Sequence, residues 1–298
     1  MCLNILNQDL AFKDYFKNYT YFADFINHVI YNGLHVISPS YLELDDTDVS
    51  TVNYDNFTAL ERRRDVAMRY KEKEKEVIIG IENQSTVDRN MAIRILVYDA
   101  FKYNQQLKNK NSQRNIVPVC FLVLYSGDKK WDASESLLGS FETPEEFKDC
   151  LNDWKYKVID IRDIDENCFE VKENRMLIRS AKMILEKGNN PEDMKEMILS
   201  KEVALVVASL VKSEELYSYI RIQEREEIDM CRSLDELKQR GIREGLIKTL
   251  IQLITTKLGN ISKELILEIK KSDEETLNEL VIRIFDVNNE EDIYKILN

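Results

Sequence analysis

Glycine and proline are scarce, at eight and four residues in 298, which leaves little room for linkers or disorder. Histidine is scarcer still. His28 and His35 are the only two, and neither belongs to a recognisable triad or zinc pattern, so both read as structural. The five cysteines, Cys2, Cys120, Cys150, Cys168 and Cys231, are unevenly spaced and form no CxxC pair. That argues against a disulfide framework or a thiolate zinc site, and for a reducing cytoplasm. Their expected place is as small buried hydrophobes. The longest apolar runs, Val203–Val211 and Val117–Tyr125, reach about nine residues, too few to span a bilayer. Met1, Cys2, Leu3 and Asn4 lack the positive and apolar regions of a signal peptide. The expectation is a soluble, cytoplasmic protein with no membrane partner.

What is abundant is charge: 32% of residues are charged, against 44% hydrophobic, enough for a real core. The net charge of −12 by itself disfavours non-specific nucleic-acid binding. The charge is unevenly distributed, however. Residues 1–180 and 181–298 are each −6, but Arg62–Arg114 holds 13 basic and 7 acidic residues, a local +6 against −18 elsewhere. Such a window can be a DNA-facing surface or a solvated, charge-mixed face.

Phe12 and Phe16, then Phe22, Phe25, Ile26, Val29 and Ile30, recur at helical spacing, so residues 9–32 read as two helices ended by Asn32 and Gly33. Residues 38–58 read as loop, with Pro39 and the acids Glu43, Asp45, Asp46 and Asp48. Arg63–Tyr70 and Val77–Gln84 read as a strand pair joined by the polar loop Lys71–Glu76. A helical stripe follows over Met91–Leu107, then strands at Pro118–Tyr125 and Tyr156–Ile161. Thr143, Pro144 and Glu146 look like a helix start. Beyond about Met176 the strand signals vanish. Asn190–Pro191 and Ser272–Glu275 are helix starts, and Leu258–Gly259 is a helix end. Leu246, Leu250, Leu253 and Ile254 form an apolar stripe that is core or an oligomerisation seam. The outline is a mixed α/β domain over residues 1–180, then an all-helical region over 181–298 suited to regulation or assembly, with a homo-oligomer through this tail as one expected partnership.

In a strand, side chains alternate faces, so Gly80, Glu82 and Gln84 share one face. Pairing the hairpin symmetrically places Tyr70 opposite Val77 and, counting outward, Asp65 opposite Glu82. Directly opposed carboxylates sit about 5 Å apart at Cβ and repel, unless a divalent cation lies between them. The functional reading is a hard-metal site of two carboxylates and nearby backbone carbonyls. The structural reading pairs Asp65 with a neighbouring arginine and leaves Glu82 capping an exposed strand end. Geometry alone leaves both open.

Ordered motifs shift the balance. Asp9, Phe12 and Lys13 form a D-x-x-F-K element. Phe22 to Asn27, Tyr31 to Gly33, Val36–Ile37 and Pro39 follow, then Arg63 to Val66, Ile79 to Ser85, Val87–Asp88, Met91 to Arg94, Tyr98 and Tyr103, and Val117 to Gly127. Across most of residues 9–185 this resembles the recombination-promoting nuclease/putative transposase family of the PD-(D/E)xK superfamily. The resemblance implies a mixed sheet flanked by helices in α-β-β-β-α-β order, and a metal-dependent DNA endonuclease linked to recombination, mobile elements or defence. It also implies Asp65, Glu82 and Gln84 as the catalytic set, with Asp65, Glu82 and Asn83 at Mg2+ or a similar ion such as Mn2+ or Ca2+. Gln84 stands where the superfamily usually has lysine; an amide can hydrogen-bond water or phosphate but carries no charge. Arg62, Arg63, Arg64 and Arg94 are candidate DNA contacts, or neutralise the acids around them. Asp9 and Asp24 could add a carboxylate to the site or belong to a solvated helix face, while Tyr98 and Tyr103 read as core. The alternative function is a catalytically weak or inactive relative that binds DNA or protein.

Overall fold

The computed structural model describes residues 8–45, 48–53, 58–63, 66–108, 116–187 and 197–297. The chain divides into two compact units, Met1–Cys231 and Arg232–Asn298, rather than at the expected 180/181. The physical reason for the later boundary is that α4 and the elements after it pack with the N-terminal helices: α5 contacts both α1 and α4.

The first unit opens with α1 (Gln8–Phe16) and α2 (Tyr19–Tyr31). Asn18 caps α2 by accepting from the Thr20 and Tyr21 amides, and Asn32 ends it in the left-handed region at φ 52°. Strands β1 (Leu42–Leu44), β2 (Asp48–Asn53), β3 (Thr58–Arg63), β4 (Val66–Glu72) and β5 (Lys75–Gln84) follow. Residues 38–58 are therefore not simply loop. The three-residue β1 is too short for a periodic signal and forms as an edge strand because β4 offers it a partner. Then come α3 (Met91–Lys108), β6 (Val119–Tyr125), β7 (Lys157–Asp160), α4 (Lys172–Lys187), β8 (Ile198–Ser200), α5 (Lys201–Leu210), α6 (Glu214–Arg221) and β9 (Glu227–Asp229). The main sheet has the order β1-β4-β5-β6-β7, antiparallel across β1-β4-β5 and parallel across β5-β6-β7. This is the expected α/β fold with helices flanking a mixed sheet. Among the described residues past 180 the chain is helical, except that β8 and β9 pair antiparallel.

The β4–β5 hairpin has the expected register, with Tyr70 opposite Val77, but its turn is tighter than the six-residue loop. The ladder continues through Lys71↔Glu76 and Glu72↔Lys75, leaving Lys73 and Glu74 as the turn. The alternating Lys71–Glu76 sequence explains this, since folding at its centre sets opposite charges across from each other, worth about 0.2–1 kcal/mol per pair.

One face of the sheet is covered by α3, where Ala67, Ile78, Met91, Ala92, Ile95, Tyr98, Phe121 and Val123 form a buried cluster. Helix α1 contacts β5. The aromatic residues of α1 and α2 interlock: Phe16 lies 4.9 Å from Phe25, and Tyr15 5.1 Å from Phe16, between ring centroids. The expected helix start at Thr143 instead leads into a 3-10 segment, Glu145–Cys150, capped by Pro144 without a side-chain hydrogen bond. Phe147 and Leu151 stay exposed there, so no buried apolar face drives an α-helix. The described cysteines, Cys120, Cys150, Cys168 and Cys231, are exposed thiols rather than the buried hydrophobes expected. Cys2 and Asn190–Pro191 lie outside the described residues.

Asp24 is committed to the fold. Buried on α2, it accepts from the Glu170 and Val171 amides at 3.1 and 3.3 Å and from Asn174 Nδ2 at 2.7 Å, holding the start of α4. His28 Nδ1 stands 3.2 Å from the same carboxylate, which gives this histidine the structural role expected of it. Asp24→Ala strands three donors, so we expect a loss of about 2–3 kcal/mol in denaturant unfolding. An unchanged midpoint would show that water replaces the clasp.

The second unit contains most of α7 (Met230–Leu258), then α8 (Lys263–Lys271), α9 (Glu274–Ile282) and α10 (Glu290–Leu297). Helix α7 runs unbroken through Gly241 and Gly245 and ends before Gly259 at φ 83°. Leu250 and Ile254 are fully buried with Leu265, Ile269, Leu277, Leu280 and Ile293, so this part of the stripe is core. Asp273 starts α9 by accepting from the Thr276 amide, as its sequence suggests.

Candidate active site

Strand β5 ends as Glu82, Asn83 and Gln84, paired in parallel with Val123, Leu124 and Tyr125 of β6. The carboxyl ends of parallel strands are where α/β sheets place ligands, because the chain leaves the sheet there for loops and helices. Gln84 Nε2 donates to Glu82 Oε1 at 3.4 Å, so the two side chains share a face as strand alternation requires. Asn83 is buried, and the same alternation turns its side chain to the opposite face, so only its backbone belongs to the Glu82 side.

Glu82 does not cap an exposed strand end: its side chain is 5% exposed and meets Arg94 Nη2 at 2.6 Å. Arg94 lies in the first turns of α3, the helix that covers this face. Its Nη1 donates to Asp88 Oδ2 at 2.9 Å and its Nη2 to the Tyr98 hydroxyl at 3.3 Å. Asp88 in turn accepts from the Asn90 amide, fixing the entry into α3. Burial works against the Arg94 charge, but hydrogen bonds to Asp88 and Tyr98 and the attraction of Glu82 outweigh it, raising its pKa above the ordinary value. Tyr98 and Tyr103 contribute both packing and bonds; the Tyr103 hydroxyl accepts from the Val119 amide at 3.1 Å. At the neighbouring strand end, Ser126 donates its amide to the Gln84 carbonyl at 2.9 Å, and Gln8 of α1 donates to the Ser126 hydroxyl at 2.9 Å.

The β4–β5 register is followed through Val66↔Ile81. Arg64 and Asp65 lie outside the described residues, as do the side chains of Asp9, Arg62 and Arg63. Of the expected site residues the structure brings together Glu82, Gln84 and Arg94, and it removes Asp24, whose carboxylate is spoken for at α4. Sequence reasoning missed Asp88 as a partner of Arg94. Helical spacing signals the Arg94–Tyr98 contact, one turn apart, but not Asp88, which precedes α3.

Several cations of the basic window already have carboxylate partners, Lys102 and Arg69 inside the fold and Arg89 at its surface. Arg69 meets Glu76 at 2.8 Å and Asp45 at 3.4 Å, Lys102 meets Asp45 at 2.6 Å, and Arg89 meets Asp132 at 2.7 Å. The surplus open to a polyanion is therefore smaller than the count suggests.

The family model described as "Putative transposase, YhgA-like" matches residues 8–216. The chain belongs to this family. The match to the transposase model runs from α1 into α6 and takes in the whole five-stranded sheet and the Glu82 site. Membership suggests a transposase- or nuclease-like role. No curated protein and no solved structure matches the chain. Among the described residues, no helix is long and apolar enough to cross a membrane.

The donors described at the Glu82 site are oxygens, the kind a hard divalent cation takes: the carboxylates are Glu82 and, beyond Arg94, Asp88. No cluster of three or more His, Cys, Asp or Glu ligands occurs among the described residues. Mg2+ does not need one, since it is commonly held by one or two carboxylates together with water and substrate phosphate.

Proposed function

We propose that this transposase-family protein is a divalent-metal-dependent DNA endonuclease whose site is Asp65, Glu82 and Gln84. The observation that carries the reading is the buried Glu82 carboxylate beside Gln84, at the carboxyl end of a parallel strand and facing a cationic helix. Asp65 and Glu82 would hold Mg2+ or Mn2+, with the Asn83 backbone next along the strand. The ion, when bound, polarises a phosphoryl oxygen and acidifies water. Glu82 is held at 2.6 Å by Arg94, so serving as a ligand would require that partner to yield. Gln84 lies on the same face, where its amide can orient a water or a phosphate oxygen. Arg62, Arg63 and Arg64 would contact DNA phosphates beside the site. The helical second unit would serve assembly or regulation, with a second copy of the chain as its partner. Nicking of supercoiled plasmid in Mg2+ or Mn2+, abolished by chelator, tests the assignment; no nicking under any divalent ion sinks it.

The Gln84 role gives its own expectation. Gln84→Ala should slow the single-turnover chemical step by roughly ten- to a thousandfold, with divalent-ion affinity little changed. A full single-turnover rate in that variant would remove the amide from the mechanism.

A second reading, favoured by the 2.6 Å Arg94–Glu82 pair and the neutral Gln84, is a relative that binds DNA or protein without cleaving. It predicts retained DNA binding in the absence of nicking.

A further inference from the structure

The site has one charge more than its signature suggests. We infer that Arg94 is the working cation of this centre: it holds Glu82 while the metal ion is absent, and turns to the scissile phosphate once the carboxylate is engaged, supplying the positive charge that Gln84 does not. The inference rests on the nuclease reading and deepens it.

Three observations carry it. First, Arg94 reaches Glu82 from outside the strand, at 2.6 Å, on the face that Gln84 also occupies. A guanidinium this close to a carboxylate both neutralises it and repels any second cation that approaches it. Second, Arg94 does not depend on Glu82 for its place. Its Nη1 bond to Asp88 and its contact with the Tyr98 hydroxyl remain when Glu82 is taken, and the guanidinium stays in the site with an Nη2 hydrogen released. Third, the arginine side chain is 29% exposed while Glu82 is 5% exposed, so the cation has an open side for a phosphate and the acid does not. A planar fork with five donors suits that exchange better than a single-point ammonium would.

The charges are consistent with this order. Glu82 and Asp88 against Arg94 sum to −1, and with Asp65 as second ligand the centre is −2, which one divalent cation brings to neutral. The guanidinium's own charge is part of that sum: freed of its strongest partner, it keeps Asp88 as its remaining carboxylate and turns its open side to the phosphate of the substrate.

The test measures Mn2+ binding to the full chain without DNA, by titration calorimetry, beside single-turnover plasmid nicking. Arg94→Gln should bind Mn2+ about tenfold more tightly, because a competing cation has left, and should nick about a hundredfold more slowly. Adding Gln84→Lys to that variant should recover at least tenfold of the nicking rate, since it returns a cation to the same face. Tighter ion binding with slower nicking is a signature that a merely structural arginine does not produce. If Arg94→Gln does not fold, Arg94→Lys decides: Mn2+ affinity should stay near wild type while nicking falls about tenfold, through loss of the fork. Unchanged or weaker Mn2+ affinity in Arg94→Gln, or wild-type nicking in either variant, overturns the inference. Failure of the underlying reading is distinguishable. It appears as Mn2+ binding that is absent in wild type or insensitive to Glu82→Gln, whatever residue 94 is.

Discussion

Gly80→Ala is expected to destabilise the first unit by about 3 kcal/mol, the upper end of overpacking effects, lowering its Tm by roughly 6–12 °C. Gly80 lies mid-strand in β5, between Ala67 of β4 and Phe121 of β6. The Phe121 ring crosses directly over its Cα. A Cβ added there would sit 1.8 Å from Cε1, 2.3 Å from Cδ1 and 2.4 Å from Cζ, so the clash involves one whole edge of the ring. The ring is buried among Ile78, Met91, Ala92, Ile95 and Tyr98, and packed cores leave it no vacant space to turn into. Any relief by moving β5 instead would displace Glu82, two residues along on the same face, so activity should fall with stability. A double-mutant cycle identifies the cause. In a Phe121→Ala background the added methyl enters the vacated space, and Gly80→Ala should cost almost nothing further. Circular-dichroism melts of the four proteins measure it. A single variant within about 0.5 kcal/mol of wild type would mean that the ring leaves its place freely.

The Gly80 requirement was hidden in the sequence, where a glycine between two isoleucines says only that something approaches closely. The register around it was not hidden. Symmetric pairing about Lys71–Glu76 reaches the observed Tyr70↔Val77 register, and the alternation of Val77, Ile79 and Ile81 with Gly80, Glu82 and Gln84 sorts the faces, but the tight turn inside that segment reads as loop in the sequence. Long periodic helices such as α2 and α3 were legible for the same reason. Strands β1, β8 and β9 were not, because three residues carry no period and depend on the strand that receives them. At the site, the local motif indicated Glu82 and Gln84 as neighbours, since alternation is a property of one strand. Arg94 at Glu82 is a relation between a strand and the following helix, fixed by how α3 lies on the sheet, and spacing along the chain does not encode it. Asp24 shows the opposite case: an acid that looked available on a helix face is consumed by a segment 146 residues away, at the Glu170 amide.

Asp65→Asn and Glu82→Gln should each reduce metal-dependent cleavage by at least about a thousandfold, at or beyond the upper end of what one electrostatic stabiliser contributes. In the proposed centre each change conserves shape and removes one of two metal carboxylates, so a hard cation would lose half its charged ligands. The two variants should differ in stability. Two opposed acids alone would be relieved by losing a charge, and the variants would then be as stable as wild type or more so. Arg94 reverses that expectation for Glu82. The carboxylate is nearly fully buried and its charge is matched at 2.6 Å, so Glu82→Gln exchanges a charge-assisted hydrogen bond for a neutral one. The guanidinium keeps Asp88 and Tyr98, which limits the cost to about 1–2 kcal/mol rather than the larger penalty of a stranded buried charge. Glu82→Gln should therefore melt below wild type in chelator, and the deficit should shrink when Arg94→Gln is added, because the pair is then removed from both sides. Plasmid nicking under identical ion and salt conditions gives the activity, and melts in chelator give the stability. Either single variant nicking at the wild-type rate would remove that carboxylate from the site, and a Glu82→Gln melt above wild type would show that Arg94 does not stabilise Glu82.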